Sequence, residues 1–96
     1  MLVNRKECMT EKEKLCTAVD DFAAAMKKRL LAKEKQGFSG WDRGDITAYA
    51  IPTRLFGKAA QLYALINYSP RQNKIKDKLL IDIANFAMML WIKVKA

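Results

Sequence analysis

Asp82 and Asn85 are the only polar residues in the most apolar stretch of the chain, residues 79–92, and they stand three apart. On a helix that spacing puts both side chains on one face, about a turn from each other. A carboxylate buried in such a stretch needs a partner: a metal ion, a basic group or hydrogen-bond donors. The chain contains no histidine. That removes imidazole acid–base catalysis, a catalytic triad and histidine-ligated zinc, and leaves carboxylates as the ligands for a hard cation. The two cysteines, Cys8 and Cys16, would lie about 12 Å apart on a common helix, too far for a disulfide.

Two other groups of residues carry chemistry. Lys27, Lys28, Arg29, Lys33 and Lys35 crowd one segment, suited either to phosphate or to the negative end of a helix dipole. Phe38 and Trp41 stand in Gly-Phe-Ser-Gly-Trp-Asp-Arg-Gly-Asp, where aromatic rings either stack on a base or plug the end of a bundle.

Helices must position these residues. Thr10-Glu11-Lys12-Glu13 fits a capping box, and Leu15, Val19, Phe22, Met26 and Leu30 follow at spacings of four and three. One stripe of a helix over about 10–36 should therefore face a core. Gly37, Ser39 and Gly40 should stop it. Asp45 can cap a second helix starting at Ile46, with a break near Pro52, a fresh start at Thr53 and an end near residue 67. Its apolar stripe is Leu55, Ala59, Leu62 and Ile66, while Arg54, Lys58 and Gln61 occupy the other side beside Gly57. Ser69-Pro70-Arg71-Gln72 reads as the start of a third helix, over 70–94. That helix is apolar all round, which predicts neighbours on every side.

The expected architecture is a single all-α domain over residues 1–96, a bundle of three main helices with 1–9 as a flexible arm. Three helices leave more apolar surface than one such chain covers, so oligomerisation is expected to complete the bundle. Nothing in the first residues resembles a signal peptide, and residues 79–92 are too short to span a bilayer. A cytoplasmic protein without membrane association is expected. Eighteen Lys and Arg against ten Asp and Glu give a net charge of +8 in 11.0 kDa, which favours a polyanionic partner.

The segment Asp21-Phe22-Ala23-Ala24-Ala25-Met26-Lys27-Lys28-Arg29-Leu30, followed by Gly40-Trp41, resembles the opening of small phage-type MazG-like proteins, members of the all-α nucleotide pyrophosphohydrolases. Asp82-Ile83-Ala84-Asn85-Phe86-Ala87-Met88-Met89 is similar to their Asp-Val-Ala-Asn-Phe-Ala-Met-Met helix. The resemblance runs from about residue 20 to 92. It implies an enzyme that cleaves nucleoside triphosphates between the α and β phosphates, with Mg²⁺ held by Glu-Glu-x-x-Glu on one helix and Glu-x-x-Asp on the next. Here the first motif falls on Gly57-Lys58-Ala59-Ala60-Gln61 and the second on Leu79-Leu80-Ile81-Asp82. Of these carboxylates only Asp82 remains, and it could pair with Lys58 across the helix interface.

The resemblance with these replacements implies a non-catalytic MazG-like protein, phage-encoded, that binds or sequesters a phosphate-bearing nucleotide, including a host-defence signal. No cofactor is expected. The candidate contacts for phosphate or base are Lys27, Lys28, Trp41, Lys58, Gln61, Asp82 and Asn85, received by a site that is neutral or positive. An alternative is a basic module that binds nucleic acid or inhibits a host nucleoprotein, without sequence-specific reading because its charges are spread over all three helices. A third reading, residual Mg²⁺-dependent pyrophosphohydrolysis, needs Asp20, Asp21, Asp42 or Asp45 to have replaced the missing ligands.

Overall fold

A computed structural model describes residues 9–43 and 50–95. The expected arm, apart from Met9, and the helix start at Asp45–Ile46 lie outside these residues. Among the described residues there are three helices: α1 (Glu11–Lys35), α2 (Ile51–Tyr68) and α3 (Asn73–Lys95). Among the described residues there is no strand and no helix long and apolar enough to cross a membrane.

Both ends of α1 are written locally in the sequence. Thr10 is extended and its Oγ1 accepts the Glu13 N–H at 3.2 Å, which satisfies one of the free donors of the first turn. At the other end Gly37 takes φ +95°. Its N–H donates to the Glu34 carbonyl at 2.9 Å, and the Phe38 N–H donates to the Lys33 carbonyl at 3.1 Å. This paired closure uses the left-handed conformation that glycine adopts without a Cβ penalty. Thr10→Ala should cost about 1 kcal/mol and lower Tm by about 4–8 °C, measurable by thermal circular dichroism.

Two boundaries differ from the sequence expectation. The described part of α2 begins at Ile51 behind a left-handed Ala50 (φ 51°), and Pro52 sits in the first turn, where its missing N–H is not needed. Thr53 therefore lies inside the helix and recaps nothing. Ser69 does not open α3. Its N–H donates to the Leu65 carbonyl at 2.9 Å and closes α2. A turn from Ser69 to Gln72 follows, and the Gln72 carbonyl accepts the first α3 bond, from Lys76 N–H at 3.1 Å.

α3 lies in the middle. α2 folds back along it in a helical hairpin, and α1 packs on it antiparallel, with Arg29 meeting Asp82 and Met26 meeting Asn85. α1 and α2 make no more than marginal contact with each other. Among the described residues only Ile51, Leu79 and Asn85 are buried.

α3 is thus covered on two sides rather than all round, and Leu80, Trp91 and Ile92 stay exposed. The α1 stripe is covered only in its second half. Met26 and Leu30 are half-buried, whereas Leu15 is 60% and Val19 67% exposed. The bonded contacts between α1 and α3, at Met26 and Arg29, fall in the second half of α1. The chain exposes 7908 Å², against about 5600 Å² for a compact protein of this mass.

Candidate functional site

Because α1 and α2 flank α3 with no more than marginal contact between them, they leave a groove of about 960 Å³ with α3 as its floor. α1 contributes Arg29, Leu30 and Lys33, α2 contributes Ile51, Arg54, Gly57, Lys58 and Gln61, and α3 contributes Asp82, Asn85, Phe86, Met88 and Met89. The turn after α1, with Phe38, Trp41 and Arg43, lines it further. That turn is bent by Gly40 at φ +81° and closed by an Arg43 N–H to Gly40 carbonyl bond of 3.1 Å. Lys93 Nζ donates to the Arg43 carbonyl at 3.0 Å and ties it to the end of α3.

Asp82 is the electrostatic centre. Arg29 Nε donates to its Oδ1 at 3.1 Å and Arg29 Nη2 to its Oδ2 at 3.5 Å. Lys58 Nζ stands 3.8 Å from Oδ2 on the opposite wall. The Asp82 side chain is 13% exposed. One carboxylate thus holds two cations at the groove, and such partners offset the cost of its partial burial. Over the described lining, Arg29, Lys33, Arg43, Arg54 and Lys58 face Glu34, Asp42 and Asp82, a surplus of two positive charges.

Asn85 lies one turn further along the same face of α3. It is 4% exposed, and its Nδ2 donates to the Met26 carbonyl at 3.4 Å. Its Oδ1 is buried without a hydrogen-bond partner. Gly57 widens the wall opposite: a Cβ there would meet open space, so the position is free of packing demand.

No family model, curated protein or solved structure matches the chain.

Trp41, Lys58, Gln61, Asp82 and Asn85 are brought together around this groove, as the sequence suggested. Lys27 and Lys28 are a correction: both are exposed and neither lines it. Successive helix residues are rotated by about 100°, so the turn of α1 that points Arg29 at α3 carries its two predecessors away. Lys58 pairs with Asp82 as expected, but the closer cation is Arg29. Sequence reasoning missed Arg29 as a site residue and counted it only in a basic cluster. The available signal was its register, seven after Phe22 and three after Met26, which puts an arginine on the apolar stripe. Arg54 was missed too. It was read as the side of α2 away from the core, yet that side is the groove wall.

The carboxylates that would hold Mg²⁺ do not fit that ion here. Gly57, Lys58 and Gln61 occupy one wall, and Leu79 is buried in the core and does not line the groove. Asp82 already has a cation on each of its oxygens. Asp20 and Asp21 are exposed on α1, Asp42 sits on the turn, and Asp45 lies outside the described residues. Among the described residues no three acidic or cysteine side chains gather at one point.

Proposed function

We propose that this protein is a non-catalytic MazG-like binding protein that holds a phosphate-bearing nucleotide in the groove between α1 and α2. The observation that carries the reading is Arg29 and Lys58 converging from opposite walls on Asp82. An arriving phosphate meets two fixed cations with donors already aimed at the groove. An arginine fork and a lysine point charge are a common pair for phosphate. Trp41 at the end of the groove and Phe86 on its floor offer aromatic surface to a base. Without a cluster of carboxylates the phosphate is received directly, with no metal bridge.

Trp41 provides the test. Replacing the exposed Trp91 by Phe leaves Trp41 as the single indole of the chain. Titration of this variant with nucleoside diphosphates, triphosphates and cyclic dinucleotides should give a saturable change in its fluorescence for at least one of them. Silence across the panel at low salt would remove the reading.

Self-association belongs to the same proposal. Leu15, Val19, Phe22, Ile66 and Trp91 supply apolar area for it. Light scattering at micromolar concentration should report at least twice the 11.0 kDa chain mass. A monodisperse monomer would contradict this.

A further inference from the structure

Asn85 is the one described residue whose side chain is buried with an atom left unpaired. Its orientation is decided by its other half. Nδ2 donates to the Met26 carbonyl, and turning the amide over would set two acceptors against each other. The unpartnered atom is therefore a buried acceptor, on a residue that lines the groove. A buried acceptor without a donor costs stability, and replacing the whole amide by an apolar group of the same shape would remove that cost. Such a group makes sense when a ligand supplies the missing donor.

The surroundings define that donor. Leu30, Ile51, Phe86 and Met89 make this part of the groove apolar. A sugar placed there would bury several hydroxyls with one acceptor to share. A heteroaromatic ring buries apolar faces and presents its N–H groups at the edge. Met88 and Met89 belong to the same floor, and these unbranched side chains repack easily around an incoming ring. The two cations lie one turn away along α3, at Asp82. The order along the groove is thus phosphate site, then acceptor.

We infer that Asn85 Oδ1 accepts a hydrogen bond from an N–H on the base of the bound nucleotide, so that Asn85 selects for the base while Arg29 and Lys58 take the phosphate. This rests on the nucleotide reading above. No bond is made or broken. The acceptor is buried and unpaired in the free protein, so ligands that carry phosphate but no N–H gain nothing from this end of the groove.

Calorimetric titration compares pyrophosphate, ribose 5-phosphate and the four common nucleoside 5′-diphosphates on the wild-type chain and on Asn85→Leu. At least one diphosphate should bind the wild type tenfold or more tighter than pyrophosphate or ribose 5-phosphate. Asn85→Leu should bring that nucleotide down to the level of pyrophosphate, leave pyrophosphate within twofold, and raise the melting temperature. A purely structural Asn85 would instead lower it. If pyrophosphate, ribose 5-phosphate and all four diphosphates bind the wild type within twofold of one another, base selection is wrong while the phosphate site stands. That comparison needs no variant. If none of them binds, the nucleotide reading falls as well.

Discussion

Lys58→Glu should weaken pyrophosphate or nucleotide binding by about 100-fold. The substitution restores one acid of the motif that the sequence resembles and changes the charge on one groove wall by two units. At an effective dielectric of about 20, a unit charge 5 Å from a phosphate is worth about 3 kcal/mol, and solvent around the part-exposed Lys58 screens about half of that. Two units then give about 3 kcal/mol, or roughly 100-fold. The new carboxylate also faces Asp82, with Lys58 no longer there to separate it from the opposite wall. Titration of the variant at low salt measures the loss. An affinity within threefold of the wild type would show that the ligand does not use this wall, and would move the phosphate site elsewhere on the basic surface.

Asp82→Asn has the opposite expected sign for binding. In the free protein Asp82 neutralises part of the field of Arg29 and Lys58, and an incoming phosphate must compete with it. Removing its charge while keeping its shape should tighten pyrophosphate binding by about tenfold, on the same estimate for one charge. The ligand-free protein should become less stable by about 1–2 kcal/mol, because Arg29, a quarter exposed, keeps its charge and loses its partner. Urea unfolding with and without pyrophosphate reads both effects, since a ligand bound only by the folded chain raises the midpoint. A tenfold loss of affinity would mean that the carboxylate itself serves the ligand, as a metal-holding acid would.

The two variants separate a groove that receives phosphate on its cations from one that still depends on the acid left from a metal site. From the sequence, Asp82 reads as a possible metal ligand. Its observed role is to fix two side chains from two different helices at one place in the groove.

How much of this was legible depended on whether the cause was local. The limits of α1 could be read because Thr10, Glu13 and Gly37 act through hydrogen bonds within a few residues. The start of α3 was placed at Ser69 because Ser-Pro-Arg-Gln is a good opening sequence, but the preceding helix already uses Ser69 for its own end. The observed start of α2 lies behind a left-handed alanine without a side-chain cap, and its residue-type signal is Pro52 in the first turn, which reads from the sequence as a break instead.

The candidate site divides in the same way. Lys58, Gln61, Asp82 and Asn85 were legible because they sit at motif positions on two helices that pair through a short turn. Arg29 comes from a helix far away in sequence, and only its register on the apolar stripe pointed inward. The density of positive charge around Lys27 and Lys28 drew attention to the solvent side of the same helix. The groove itself could not be read from any one segment, because it exists through the sparse contact between α1 and α2.

Metal-free binding of a phosphate-bearing nucleotide in the groove can be measured by isothermal titration with nucleoside diphosphates at low salt in the presence of EDTA. Saturable binding with one site per chain is expected, weakening steeply as salt is raised. A flat isotherm for every nucleotide, or binding that appears only when Mg²⁺ replaces EDTA, would exclude it.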